Sequence, residues 1–441
     1  MKVFVLCTLI RWHELPKEST KYKAQSTKTK YKGMSSAVRI APAETVQELL
    51  RLPLIQQALR YFPDEADNIT REHIEICSIP AGPFSEQKRA EHLQGKFVEL
   101  GLGDVEIDQE GNCLGVFTGS THEPLMVVSA HLDTVFSGDT DFTVHRRANR
   151  LFAPGISDDG CGLAALIAIA RCLVHTRVVT TGSILFVGTV GEEGEGDLRG
   201  VRYLFSRGRW ANRIDSFLSF DGPGIDRITN QALGSRRYRV KLEGAGGHSW
   251  GDFGLPNPNH ALGGAISKLA SYPLPTKSRT TFNVGKIVGG TSVNAIPAEA
   301  SMDVDLRSVD EAELHRLDAY FRRAVGEAVE RENSKRRPGD SPLTVKIDVL
   351  GNRPTGQTPA NSFLVELAQE TTRAVGGLAQ LEQSSTDSNL PISLGIPAIT
   401  IGAGGLSGCS HTLDEWYDPC DREKGLQRGL LTILGMVGVK T

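Results

Sequence analysis

The sequence lacks most of the features that would place it in a specialised class. Its seven cysteines, at positions 7, 77, 113, 161, 172, 409 and 420, are odd in number and nowhere spaced as Cys-x-x-Cys. That argues against a disulfide framework and a thiolate zinc site, and indicates a reducing, cytoplasmic setting. No apolar run approaches the roughly 18 residues that a membrane span requires. A formal net charge of −3 offers no field for a polyanion, so neither nucleic acid nor membrane is indicated as a partner. Internal repeats and low-complexity tracts are also missing. What remains is a chain of 441 residues, 39% hydrophobic and 23% charged, with a globular composition and too great a length for one ordinary core.

Residues 1–33 differ from the rest, joining a short apolar patch to many lysines. Arg11-Trp12-His13 breaks the patch and no small-residue cleavage site follows, so the segment reads as a disordered tail or a mis-assigned start, with Met34 the alternative first residue. Helical spacing marks Thr45 to Phe62 and Glu86 to Leu102. Continuous apolar runs at Leu125 to Ala130 and Ser183 to Val190 flank a buried helix over Gly160 to Val174, with Ser157 or Asp158 as its cap. Buried strand, helix and buried strand predict an α/β domain, residues 34–231, with a mixed, largely parallel sheet.

After about Ile228 the pattern becomes alternating strand at Arg237 to Leu242, helix at Asn259 to Leu269, then strands at Thr281 to Ile287 and Ala300 to Leu306. Helix at Glu311 to Arg331 and strand at Leu343 to Leu350 complete a βα-ββ-αβ order. This predicts an inserted α+β, ferredoxin-like domain over residues 232–352. Residues 353–441 then resume the first domain, which is therefore discontinuous, with Pro397 to Gly402 as a further buried strand.

The ends of the apolar strands carry the chemistry. Val127-Val128-Ser129-Ala130 leads into His131-Leu132-Asp133, and Gly155-Ile156-Ser157-Asp158-Asp159 precedes the buried helix. Glu192-Glu193 follow the next strand, and Phe220-Asp221-Gly222 the one after. Ligand sites in open α/β sheets lie beyond the carboxyl ends of the strands, so these carboxylates converge. No lysine or arginine falls in the quoted segments before Arg199, and bound dications resolve the repulsion. Two divalent ions balance Asp158, Asp221, Glu193 and a bridging hydroxide, with His131 and His411 as neutral ligands and Glu192 left over as a base. Oxygen and imidazole donors suit zinc, with manganese or cobalt as alternatives.

The ordered set His131-Leu-Asp133-Thr, Gly155-x-x-Asp158, Glu192-Glu193-Gly, Phe220-Asp221-Gly and His411-Thr-Leu-Asp-Glu415-Trp resembles the M20 family of co-catalytic metallopeptidases, near its peptidase T-like members. Gly247-His248-Ser249, the Gly289 to Pro297 segment with Asn294, and Ser385-Thr386-Asp387-x-Asn389 stand where that resemblance expects them. It implies His131 and Asp221 on one metal, Glu193 and His411 on the other, Asp158 between them, and Glu192 as general base. Asp133 would fix the tautomer of His131 through its far nitrogen. His248, on the inserted lid domain, would support the oxyanion, Arg307 would pair with a peptide carboxylate, and Asn294 would hold peptide backbone or the oxyanion. The implied activity is hydrolysis of short peptides, as an aminopeptidase or tripeptidase, with a dipeptidase or an N-acyl amino acid deacylase as the alternative. Dimerisation through the inserted domain is also implied.

Two other classes compete. Gly247-His248-Ser249-Trp250-Gly251 matches the G-x-S-x-G elbow of serine hydrolases, yet the Asp-Phe-Gly-Leu-Pro-Asn-Pro-Asn that follows is too rich in turn formers for the helix an elbow requires. A metal-stabilised peptide-binding protein without turnover is the second, and the presence of Glu192 argues against it.

Overall fold

A computed structural model gives the structure of residues 40–440. The reading of residues 1–33, and of Met34 as a start, lies outside the described residues. Among the described residues the central sheet has nine strands. Across it run Gly103–Ile107, Cys113–Phe117, Ser183–Thr189, Leu125–His131, Ser216–Phe220, Ala398–Ile401, Arg227–Ala232 and Gly356–Gln357, with Gln380–Ser384 also paired to Arg227–Ala232. The middle strands pair in parallel, and antiparallel pairs join toward both flanks.

Burial on both faces explains the unbroken apolar runs. Every residue of Leu125–His131, Ser183–Thr189 and Ser216–Phe220 is buried. Met126, Val128 and Ala130 face a core built with the helices Gly160–Thr176, Phe363–Ala374 and Arg422–Val437. Leu125 and Val127 face the opposite core, with Leu204 of the helix Arg199–Ser206, Trp210 and Ile392.

Between Ala232 and Gly356 the chain builds a separate antiparallel sheet in the order Thr280–Gly289, Glu299–Ser308, Gly234–Glu243 and Thr344–Arg353. The strand Glu299–Ser308 is buried at alternate residues, the mark of a sheet covered on one face. Its Met302, Val304 and Leu306 pack with Leu262, Leu317 and Phe321 of the helices Pro258–Ala270 and Glu311–Asn333. Asp310 caps the longer helix, accepting the Ala312 and Glu313 N–H groups. The chain enters and leaves this layer at neighbouring points, since Gly356 pairs with Ala232.

Four local features differ from the sequence reading. The single helix expected over Thr45 to Phe62 is two, Pro42–Arg51 and Pro53–Asp64, because Pro53 opens a new helix where its missing N–H costs nothing. The helix Ala66–Cys77 and the hairpin of Gly103–Ile107 with Cys113–Phe117 were not anticipated. Asp159, rather than Ser157 or Asp158, caps the helix Gly160–Thr176 through the Gly162 N–H. Among the described residues no helix is long and apolar enough to cross a membrane.

Candidate metal centre

Five side chains meet at the carboxyl edge of the parallel strands. His131 ends Leu125–His131, Asp158 precedes the helix Gly160–Thr176, Glu193 follows Ser183–Thr189, and Asp221 follows Ser216–Phe220. His411 arrives from the loop between Leu406–Gly408 and Trp416–Asp418, with a left-handed backbone at φ 65°. The structure gathers them into ligand groups, His131 with Asp158 and Asp221, and Asp158 with Glu193 and His411. A third grouping, His131 with Glu192 and Glu193, adjoins them.

Asp158 joins the first two groups. Its Oδ1 lies 3.0 Å from His131 Nε2 and its Oδ2 lies 3.0 Å from His411 Nε2. The same His411 nitrogen is 3.0 Å from Glu193 Oε1. Without a metal these contacts require protonated imidazoles, and the Asp158 and Glu193 carboxylates hold His411 up at about 10. His131 Nδ1 is satisfied by the Asp133 carbonyl at 3.0 Å, which leaves the neutral ring's Nε2 lone pair facing Asp158. Two facing acceptors repel unless a cation lies between them. The donors are imidazole nitrogen and carboxylate oxygen alone, and this set fits a pair of dications.

Burial reinforces the same conclusion. It pushes the Asp221 carboxyl up to about 6, aided by the charge of Asp158. It also drives Glu192 well above the usual carboxylate range, against the pull of Arg353. Asp158 is pushed upward by burial too, but His131 and His411 override this and hold it low.

The surrounding groups are placed by main-chain hydrogen bonds. The Asp133 carboxylate stands 3.6 Å from His131 Nδ1, so its carbonyl, not its side chain, takes the ring proton. The carboxylate instead accepts the N–H groups of Glu192 at 3.0 Å and Glu193 at 2.7 Å, fixing the acidic pair. Asp159 turns away from the ligand groups and accepts the N–H of His131, Gly162 and Gly222. Cys161, beside it, donates to the Ser157 carbonyl.

Two contributors have no role in the sequence reading: Glu415, which stands there only as part of the His411 motif, and Arg353. Glu415, fully buried, accepts the N–H groups of Gly155, Ser157 and Asp158 and the Ser157 hydroxyl, tying the Asp158 loop to the His411 loop. Arg353 donates to Glu192 Oε1 at 3.0 Å and to the Glu192 carbonyl. Arg199, the first cation after the acidic pair in sequence, is committed to Glu86 and Glu110.

The three remaining candidates sit on or beside the antiparallel layer, with local partners. His248 is exposed, and its Nδ1 accepts the Trp250 and Gly251 N–H groups at 3.2 Å, which puts the ring proton on Nε2. Asn294 is exposed, with Oδ1 accepting from Ser292 at 2.6 Å and its carbonyl accepting from Ser249. Arg307 is half-buried and pairs with Asp305 at 2.7 Å. The segment Gly247-His248 is a two-residue strand paired to Ala295–Ile296, and the next helix, Pro258–Ala270, does not follow it directly. That removes the strand-turn-helix on which the serine elbow depends.

Comparison with known proteins gives the same frame. The Bacillus subtilis protein YqjE, itself uncharacterised, is 24% identical over 357 residues, covering 76% of this chain and 90% of its own. A succinyl-diaminopimelate desuccinylase of Leptothrix cholodnii is 27% identical over 225 residues, 47% of this chain and 57% of that enzyme. The crystal structure of aminopeptidase PepT from Bacillus cereus superposes with a TM-score of 0.68 at 21% identity, over 84% of this chain and 99% of that one, and shows the fold. The sequence model of peptidase family M20/M25/M40 matches residues 127–435, from the strand that ends in His131 through the loop that carries His411. The chain belongs to that family of hydrolases.

Proposed function

We propose that this chain is a dinuclear metallohydrolase that cleaves amide bonds of short peptides from their amino-terminal end. The observation that carries the reading is Asp158, whose two oxygens each face one imidazole and so join two ligand groups through one carboxylate. His131 and Asp221 would hold one ion and Glu193 and His411 the other, with Asp158 common to the two ligand groups. Zinc suits these donors best, with manganese or cobalt as alternatives. A bound pair of dications supplies Lewis acidity, polarising the scissile carbonyl and acidifying water.

The chain's own groups do the rest. Glu192 takes the proton of the attacking water on its carboxylate and returns it to the departing amine. His248, with its proton on Nε2, donates to the carbonyl oxygen as negative charge develops there. Asn294 holds the peptide backbone, and Arg307 exchanges Asp305 for the carboxyl end of a short substrate. Asp133 keeps its role as an organiser, but of Glu192 and Glu193 through their N–H groups rather than of His131 through its side chain. A short peptide with both termini free is the favoured substrate, since the fold matches that of an aminopeptidase and Arg307 offers a carboxylate partner. Pairing of two copies through the layer of residues 232–352 belongs to the same reading, supported by the edge strand Thr280–Gly289, which leaves Ile287 and Val288 exposed. The six described cysteines are unpaired thiols, which suits a reducing compartment.

The test is a hydrolysis screen of di- and tripeptides with free and blocked termini, using protein supplied with zinc, manganese or cobalt. Glu192→Gln should keep its metal and lose about 10²- to 10⁴-fold in turnover. Undiminished hydrolysis after chelation, or by Glu192→Gln, would reject the proposal.

A further inference from the structure

The acidic pair sits in a loop that has little to hold it locally. Gly191 and Gly194 flank it, both with left-handed backbone, at φ 64° and 50°. Only a short 3₁₀ turn, Gly194–Gly196, follows before the helix Arg199–Ser206. A glutamate side chain in such a loop has several rotamers to choose from, and fixing one has an entropic cost.

Asp133 holds the two main-chain N–H groups of the pair, and the restraint on the Glu192 side chain comes from the other layer. Arg353 is the last residue of Thr344–Arg353, the strand by which the chain leaves the antiparallel sheet, and it is buried with 4% exposure. Its Nη1 donates to Glu192 Oε1 and to the Ser385 hydroxyl, at 3.0 and 3.1 Å, while Nη2 donates to the Glu192 carbonyl. One guanidinium thus grips both the side chain and the main chain of one residue, which fixes the carboxylate relative to its own backbone. Oε2 is left without a hydrogen bond among the described residues. The adjoining residues grip the same loop: the Asn352 N–H donates to Asp197 Oδ1 at 2.9 Å, and Arg202 donates to the Asn352 carbonyl at 2.7 Å. Arg237, across the sheet from Gly351, donates to the Gly194 carbonyl at 2.9 Å.

We propose that Arg353 is a positioning residue for the base, setting the direction of the Glu192 carboxylate from the root of the antiparallel layer. The inference rests on the reading of Glu192 as the base. Its consequence is that the placement of the layer and the aim of the base are linked: a shift of the strand Thr344–Arg353 moves the guanidinium, and the carboxylate with it. Ser385 takes part by holding the guanidinium, which gives the Ser-Thr-Asp-x-Asn segment a place in the site.

The test uses the full-length, metal-loaded protein and the variants Arg353→Met, Arg353→Lys, Arg353→Ala and Glu192→Gln. Arg353→Met should lower kcat about 100-fold, the scale of a misaimed catalytic group, with KM and the number of bound metal ions unchanged. Arg353→Lys, with one point charge in place of a fork, should fall between. Added guanidinium ion should restore part of kcat to Arg353→Ala, and tetramethylammonium should not. A purely structural arginine would give neither the kcat-only loss nor the rescue. In metal-free protein, Glu192→Gln combined with Arg353→Met should melt no lower than the worse single variant, because both act on the same guanidinium–carboxylate pair. Wild-type kcat in Arg353→Met beside an inactive Glu192→Gln would overturn this inference alone, as would additive losses in melting temperature. An active Glu192→Gln would overturn the proposed function and this inference with it.

Discussion

The strands that end in the metal-ligand candidates and the layer that carries His248, Asn294 and Arg307 are held in opposite ways. Leu125–His131, Ser183–Thr189 and Ser216–Phe220 are buried along their whole length, while Thr280–Gly289 is mostly exposed and Glu299–Ser308 is buried only at alternate residues. At the parallel edge the groups are anchored across long sequence separations, Glu415 to Ser157 and Asp133 to Glu192 among them. In the layer the partners are neighbours, such as Asp305 for Arg307 and Ser292 for Asn294. A fixed set of donors suits ions that demand constant geometry, and exposed side chains suit a substrate that must enter and leave. On the proposed reading, metal retention and substrate handling are therefore separable.

Variants in the two regions should therefore fail in different ways. The largest effect outside the acidic cluster is expected at His248. His248→Ala should lower turnover about 10²- to 10³-fold, as loss of an oxyanion donor does, with metal content unchanged by mass spectrometry. Loss of metal in that variant would break the comparison. Glu415→Gln should behave in the opposite sense. With its oxygen kept toward the Ser157 and Asp158 N–H groups and the Ser157 hydroxyl, the new amide NH2 faces the Gly155 N–H donor to donor, and metal binding should weaken about 10- to 100-fold in a competition titration. Unchanged metal affinity there would show that the Asp158 loop holds without it. Arg307→Ala is the mildest, raising KM about tenfold for a peptide with a free carboxyl end and leaving kcat nearly constant. Equal KM values for free and amidated peptides with wild-type protein would remove Arg307 from substrate recognition.

Much of this division is readable in the sequence, for physical reasons. A parallel strand buried on both faces carries no charged side chain along its run, so the first His, Asp or Glu after each run marks its carboxyl end, and that locates His131, Glu192, Glu193 and Asp221. The alternation of Glu299–Ser308 marks the second layer equally well. The hairpin before Cys113 had a signal too, for Asp108 accepts three main-chain N–H groups in the turn Asp-Gln-Glu-Gly-Asn. Pro53 likewise announced a helix start. Other features leave no local pattern. The pairing of Arg353 with Glu192 spans 161 residues, and its only trace is an arginine before a proline at a strand end. Spacing placed Asp133 beside His131 but carried no information on whether its carboxylate or its carbonyl would meet the ring. The Gly155-x-x-Asp158 spacing favours Asp158 over Asp159 as the ligand, but only the fold shows that the first turns toward the histidines and the second becomes the helix cap.

A centre shared through Asp158 fixes the number of metal ions held per chain. Protein dialysed against buffered zinc and measured by inductively coupled plasma mass spectrometry should carry two ions, and the Asp158→Ala variant at most one. A wild-type chain that retains none, or an Asp158→Ala chain that still retains two, would contradict a centre built around that shared carboxylate.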